Sequence, residues 1–388
     1  MGLGWWLSVL YFAFFCDVFL HPKTAARVIR WPEAVNTSDY KFEWSSADQQ
    51  PRPPFLDHLR STMADNDMFF IFTGDTQYWY PCTGDNFACQ AAVDYCDTNN
   101  ASCVEKHGQY ANKVQKTSIT ALIRELRRMN HEPKAVIING DLTNFGHQHE
   151  LDELNHFWPG NVDMVRIYPG LGNHDYANNI DECGLNHCAN RMLQWYFDYV
   201  RTHLRREMHM IVRTENVFWK RYTGSLAYSW DECAAGHLNC VHFVQLNNYP
   251  TYIASVDFPL NQWTILDSLH WLTADLRATS HPVVINFHDF DTSFSPADKL
   301  RLQRVLFESK RTILGVFFAH YHTNVGLHPT GRWCVRGRPV PLFYSGSVPG
   351  NNYLLAKFRH GRLANVYAVH ARSNESAIVW ETSLFRRC

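Results

Sequence analysis

The chain runs to 388 residues, long enough to bury a sizeable core as one large α/β unit with insertions. Lys and Arg total 36 against 37 Asp and Glu. That balance provides no global field to recruit nucleic acid or an anionic membrane, so no nucleic-acid partner is expected; a local patch would not show in the sum.

Gly2 to Phe15 is uncharged and dominated by Trp, Leu, Val and Phe. Its length fits a signal-peptide hydrophobic region better than a membrane span, which takes about 20 residues, although no Lys or Arg precedes it. Small residues at Thr24, Ala25 and Ala26 offer a cleavage site, so residues 1–26 read as a signal peptide. The alternative is an uncleaved anchor reaching Leu20 across Asp17. With cleavage, the mature chain is expected to carry no transmembrane helix. The ending Phe385-Arg386-Arg387-Cys388 lacks the apolar tail of a glycolipid anchor.

Of 11 cysteines, ten remain once Cys16 is set aside, an even set that suits disulfides in an oxidising compartment. Cys82, Cys89, Cys96 and Cys103 recur at a spacing that is not that of a zinc knuckle, which favours disulfides over a zinc cluster. Cys183 with Cys188 and Cys233 with Cys240 are the expected bridges, by proximity alone. Asn36, Asn100 and Asn374 each begin a glycosylation sequon, meaningful if the chain enters the secretory path. The three cues agree on a secreted or lumenal glycoprotein.

Residues 27–60 read as an irregular lead-in, with Pro51, Pro53 and Pro54 near its end, and 61–388 as one domain with a cysteine-rich insertion at 80–110. Asp67 to Thr73 reads as a buried first strand. Val114, Ile119, Leu122, Ile123, Leu126 and Met129 fall near one face of a helix over 114–129, which leads back to a strand at Ala135–Asn139. That strand–helix–strand order makes a right-handed crossover. Val165–Tyr168 is the next strand, and Glu182 to about Glu207, with Trp195-Tyr196-Phe197, reads as helical. Leu226–Trp230 and Val241–Leu246 alternate like antiparallel strands of a second sheet. Trp263–Leu276 is expected to be a helix, Pro282–Asn286 and Ile313–Phe318 strands, and Val340–Tyr344, Tyr353–Phe358 and Ala364–Val369 closing strands.

Five strand ends carry polar residues in an order that chance rarely produces: Gly74-Asp75-Thr76-Gln77, Gly140-Asp141, Gly172-Asn173-His174-Asp175, His288, and Ala319-His320-Tyr321-His322. The carboxyl ends of strands are where open α/β sheets build their sites. Two Asp, one Asn and three His, with a Gln nearby, suit two divalent metals. His320 and His322 alternate, so both reach one site only from a loop beyond the strand. With 21 histidines in the chain, single ones say little; His147, His149, His187, His209 and His237 read as surface or packing residues. Tyr78-Trp79-Tyr80 reads equally as an apolar wall or as packing.

The order of these motifs, the Asn-His-Asp triplet and the closing His-x-His resemble the calcineurin-like metallophosphoesterases, over roughly Asp67 to Phe358. That family's pattern runs Asp-x-His, Gly-Asp, Gly-Asn-His-Asp/Glu, His and Gly-His-x-His. The chain departs twice: Gln77 stands where most members have His, and Ala319 replaces a Gly. Members with Asp-x-Gln are known, so Gln77 reads as a variant.

The resemblance implies a four-layer α/β/β/α sandwich of two mixed sheets. It also implies hydrolysis of a phosphodiester or phosphomonoester at two divalent ions. Asp75, Gln77 and His322 would hold the first ion, Asn173, His288 and His320 the second, and Asp141 would bridge them. His174 would face the leaving group, with Asp175 orienting its ring. An amide oxygen at Gln77 tilts the pair toward manganese, with iron, zinc or magnesium as alternatives. Two rival readings remain open on the same fold: a secreted binding protein without activity, and a nuclease, which the balanced charge disfavours. The oligomeric state is not legible.

Overall fold

Continuous apolar runs fold as strands covered on both faces, and here they supply the frame that carries the polar loops. The structure is a computed structural model, and it describes residues 55–77, 101–214, 219–234, 236, 238–373 and 376–382. The leader, the asparagines of the three sequons, Tyr78-Trp79-Tyr80 and Cys82, Cys89 and Cys96 lie outside the described residues.

In chain order the strands are β1 (Met68–Thr73), β2 (Ala135–Ile138), β3 (Asn161–Val162), β4 (Val165–Pro169), β5 (Met208–Thr214), β6 (Lys220–Glu232), β7 (Val241–Gln245) and β8 (Ala254–Phe258). They continue with β9 (Asn261–Ile265), β10 (Val283–Asn286), β11 (Ile313–Phe318), β12 (Val325–Val335), β13 (Arg338–Ser345), β14 (Asn352–Arg359), β15 (Arg362–His370) and β16 (Ser376–Glu381). A 7-stranded sheet has the order β16-β15-β14-β1-β2-β4-β3. A 9-stranded sheet has the order β12-β13-β11-β10-β7-β6-β9-β8, with β5 also paired to β6. Both are mixed: β1, β2 and β4 run parallel in the first, and β7, β10, β11 and β13 in the second, with antiparallel strands at their flanks.

The sheets meet through aromatic side chains. Phe72 stacks on Phe317 with ring centroids 4.0 Å apart, and Phe70 lies 4.5 Å from Phe243. Each such ring, buried from water, stabilises the fold by about 1.5–3 kcal/mol. The helix Ala101–Arg128 covers the 7-stranded sheet with Ile119, Leu122, Ile123 and Leu126, spaced along one face. It ends where Asn130 takes a left-handed conformation (φ 61°) and the His131 N–H returns to the Leu126 carbonyl. Helices Leu269–Ala278 and Pro296–Ser309 cover the 9-stranded sheet through Leu272, Leu276, Leu302 and Leu306. The expected four layers of helix, sheet, sheet and helix are present.

The structure corrects several expectations. The expected helix over Trp263–Leu276 is split: Asn261–Ile265 is strand β9, and the helix begins at Leu269. Trp263 and Ile265 alternate with polar neighbours, and Trp263 is fully buried against Tyr222 at 3.9 Å, so a period of two wins over helical spacing. The helix expected from Val114 starts at Ala101, inside the span assigned to the cysteine-rich insertion. A short helix, Phe55–Ser61, occupies the end of the lead-in and buries Phe55, Leu56 and Leu59. The helical span 182–207 is narrower, with an α-helix at His187–Asp198 and a wider turn at Tyr199–His203. Both disulfides expected from proximity, Cys183–Cys188 and Cys233–Cys240, are formed.

Candidate metal centre

β1, β2 and β4 of one sheet and β10 and β11 of the other deliver their carboxyl-end loops to one place. The loops are tied together: the Asp75 N–H donates to the Gly140 carbonyl (2.9 Å), and the Ala319 N–H to the His288 carbonyl (2.9 Å). Asp75 (φ 50°), Asp141 (φ 50°) and His320 (φ 73°) all adopt left-handed backbone. A side chain pays on the order of 1–3 kcal/mol for that conformation, and such residues gather at functional sites.

Close approach of backbones explains two of the motif residues. A Cβ at Gly172 would stand 2.2 Å from Asp141 Oδ1, so only glycine lets the Asn173 loop pass beside that carboxylate. A Cβ at Gly74 would meet the Ala319 Cβ at 2.3 Å. The family's usual glycine at position 319 is therefore dispensable here because Gly74 leaves room for the methyl group.

Asn173 Oδ1 lies 3.0 Å from His288 Nε2 and 3.1 Å from His320 Nδ1, and the two ring nitrogens are 3.2 Å apart. Asp141 Oδ2 joins them, 2.9 Å from His288 Nε2. Asp141, His288 and His320 thus present ligand atoms within 4.8 Å of one another. Two oxygens and two ring nitrogens converge on one point, a donor set that suits a divalent cation. The outer ring nitrogens are held elsewhere: His288 Nδ1 on the Asn139 carbonyl (2.8 Å) and His320 Nε2 on Thr292 Oγ1 (3.0 Å). Such contacts orient ligating imidazoles.

Next to this group lie Asp75, Gln77 and His322, all buried. Both Asp75 carboxylate oxygens and Gln77 Oε1 are buried without a hydrogen-bond partner. His322 Nε2 stands 3.4 Å from Asp75 Oδ1, too far for a good hydrogen bond. Gln77 Nε2 donates to Asp141 Oδ2 at 2.7 Å, and the reversed amide would set its oxygen against a carboxylate. Buried oxygens left unpaired cost about 1–3 kcal/mol each and call for a partner. A divalent cation fits these donors.

Electrostatics follow the same geometry. Burial alone would raise Asp141, but the facing His288 and His174 hold it below the usual carboxylate range. Burial pulls His288 down, and the Asp141 charge and hydrogen bond outweigh it, pushing the ring up to about 10. His320 is lowered by burial and by the neighbouring His288. His322 is raised, because Asp75 more than offsets its burial.

His174 and Asp175 separate in role. The His174 N–H donates to Asp141 Oδ1 (2.9 Å), and its ring Nδ1 sits 2.8 Å from the Asn144 carbonyl. The expected contact between Asp175 and that ring is replaced. Asp175, fully buried, accepts from the N–H groups of Gly172 (2.9 Å), Leu142 (3.0 Å) and Thr143 (2.9 Å) and from Thr143 Oγ1 (3.0 Å). Its chemistry is to clamp the Asp141 and Asn173 loops together, as four convergent donors dictate. Burial and the charge of Asp141 push it up to about 7 against those donors.

The structure brings the side chains of Asp75, Gln77, Asp141, Asn173, His288, His320 and His322 into one region, with His174 and Asp175 on the adjoining loop. Sequence reasoning missed Asn139 and Asn144, which act through backbone carbonyls and leave no side-chain signal, and Thr292, whose hydroxyl reaches His320. A second grouping, His147, His149 and Glu150, also brings ligand atoms within 4.8 Å. There Glu150 Oε2 accepts the N–H groups of Phe145 (2.9 Å) and His147 (3.0 Å), which is helix capping at Gln148–Phe157.

With fold and geometry in place, the family comparison agrees. The family model for calcineurin-like phosphoesterase matches residues 68–324, and the chain belongs to that family. Members of that family are hydrolases that typically bind divalent metals. No curated protein matches the chain in sequence. Among solved structures it is similar to a 5'-nucleotidase from Candida albicans SC5314, with 11% identity and a TM-score of 0.44. That likeness covers 76% of this chain and 47% of the nucleotidase, so the chain spans about half that protein's length. It is also similar to the sulfate thiohydrolase SoxB from Thermus thermophilus (12% identity, TM-score 0.39, 84% of this chain and 58% of that one). A third likeness is to TT1561, also of Thermus thermophilus (10% identity, TM-score 0.36, 81% and 99%). Among the described residues, no helix is long and apolar enough to cross a membrane.

Proposed function

We propose that the chain is a secreted or lumenal phosphoric ester hydrolase working with two divalent ions, of which manganese is preferred. The observation that carries this reading is the convergence of Asn173 Oδ1, His288 Nε2 and His320 Nδ1 within 3.0–3.2 Å of their neighbours. Asp75 and Gln77, with their unpaired buried oxygens, complete it beside Asp141. Asn173, His288 and His320 would hold one ion, Asp75, Gln77 and His322 the other, and Asp141 both. When bound, two such ions neutralise phosphoryl oxygens and acidify an attacking water.

The chain's own residues do the rest. Asp141 is kept anionic by His288 and His174. His174, with Nδ1 turned to the Asn144 carbonyl, presents its other ring nitrogen as the group that stabilises or protonates a leaving oxygen. Asp175 keeps that loop in register. The oxygen of Gln77 is a harder donor than imidazole nitrogen, which supports the manganese preference. Balanced charge supports a small ester over a nucleic acid.

The test uses secreted, chelator-stripped protein with manganese, magnesium or zinc restored singly, following bis-nitrophenyl phosphate and nitrophenyl phosphate. Turnover is expected to return best with manganese and to vanish in Asp141→Ala. In His174→Ala it should fall about 10²–10⁴-fold while metal content is kept. A folded protein that binds no metal and turns over neither ester sinks the proposal and leaves a binding protein on the same fold.

A further inference from the structure

We propose that Thr292 is a positioning residue for His320, fixing which ring nitrogen faces the centre. The consequence for metal binding rests on the dinuclear reading above; the contact itself does not. His320 leaves the sheet on a left-handed backbone (φ 73°), past the end of β11, so no strand pairing sets the direction of its ring. Its Nδ1 points at Asn173 Oδ1 (3.1 Å), and its Nε2 at Thr292 Oγ1 (3.0 Å). A ring turned over would present carbon to both of these oxygens. With Nε2–H donated to the hydroxyl, Nδ1 is left as a lone pair for a cation, the tautomer a ligand needs.

Thr292 is held for this task by its loop. Asp289, fully buried, accepts the N–H groups of Asp291 (3.0 Å), Thr292 (2.8 Å) and Ser293 (2.7 Å), folding 289–293 into a tight turn. The Asp289 N–H is anchored on the Asn248 carbonyl at 2.7 Å. On its outer side, Thr292 Oγ1 meets the Tyr321 hydroxyl at 3.3 Å, so the hydroxyl keeps a second partner while accepting from the ring. The same loop begins with His288. One segment therefore supplies a ligand and orients the next, and the two imidazoles cannot drift independently.

The asymmetry with His288 makes the proposal sharp. His288 is fixed by a backbone carbonyl, which no substitution removes, whereas His320 depends on one replaceable side chain. Thr292 is exposed, so the isosteric Thr292→Val takes away the acceptor with little demand on folding. Thr292→Ser keeps it.

Two measurements decide. In metal-free, 15N-labelled protein, long-range ring correlations should show His320 protonated at Nε2 in the wild type and at Thr292→Ser, and a mixture of tautomers in Thr292→Val. Identical ring spectra in all three overturn the proposal. In a manganese titration, Thr292→Val should weaken one of the two sites about 10–100-fold, leave the other as it was, and regain the loss in Thr292→Ser. Two-site affinity unchanged in Thr292→Val also overturns it. A wild type that takes up no manganese refutes the dinuclear reading instead, and the ring measurement still decides whether Thr292 orients His320.

Discussion

His242 in the 9-stranded sheet and His288 just past its strand β10 are both buried and both face aspartates, yet one pair is open and the other closed. His242, in β7, places Nδ1 2.7 Å from Asp231 Oδ1 and Nε2 2.9 Å from Asp275 Oδ2. Asp275 Oδ1 in turn accepts the Ser229 hydroxyl at 2.7 Å. Protons and lone pairs match, and the network needs nothing more. Around His288 the count fails. Its Nε2 faces Asp141, Asn173 and His320 at once, and the oxygens of Asp75 and Gln77 stay unpaired nearby. The difference teaches that a buried His–Asp contact is not by itself a sign of function. An excess of lone pairs over hydrogens is.

The largest effect expected from this comparison separates activity from stability. His288→Gln removes a proposed ligand and should cost on the order of 10²–10³ in turnover or more, the scale of one strong electrostatic stabiliser. His242→Gln should leave turnover alone and lower unfolding stability by about 1–3 kcal/mol, the cost of stranding buried partners, discounted because Asp231 is half in water. Activity assays and urea unfolding on both variants check this. Loss of turnover in His242→Gln with folding intact would break the distinction between open and closed networks.

Much of the site was legible because its chemistry needs particular side chains at strand ends, and strand ends are marked by apolar runs such as Met68–Thr73 and Ile313–Phe318. His320 and His322 sit on a loop past β11, as their alternation requires. What escaped has physical reasons. The turn from β9 to the helix at Leu269 is invisible where Trp263, Ile265, Leu269 and Leu272 satisfy two periods in succession. Strands β5, β8, β12 and β16 carry half-exposed, mixed residues with no clean alternation. The helix Pro296–Ser309 did have a readable start, since Ser295 caps Asp298 and proline follows the cap. Asp175 was misread in detail because its partners are backbone N–H groups from a loop over thirty positions away, a relation only the fold creates.

A middle-sized effect concerns the meeting of the first and last motifs. Gly74→Ala would force its Cβ to within 2.3 Å of the Ala319 methyl group. Overpacking of this kind costs about 1–3 kcal/mol, and it would push the Asp75 loop away from His322. Ala319→Gly should be mild on its own and should recover much of the loss in the double variant, because the two sites share one clash. Thermal unfolding and metal content of the three variants measure it. Additive losses would mean that Gly74 answers to something other than Ala319.

The smallest effect is the pH dependence of the closed network, and its sign follows from its geometry. Burial lowers the His242 pKa, but the hydrogen bonds and charges of Asp275 and Asp231 outweigh it, so the folded ring titrates above its ordinary value. A group raised on folding stabilises fully below its unfolded pKa, about 6.5 for histidine, and that contribution fades as pH rises through the folded value. Urea midpoints should therefore fall as pH climbs above the ordinary histidine range, and in His242→Gln that part of the decline should flatten. A decline of equal slope in the variant would assign the effect to other groups, and would sink the claim that His242 is held charged by its two aspartates.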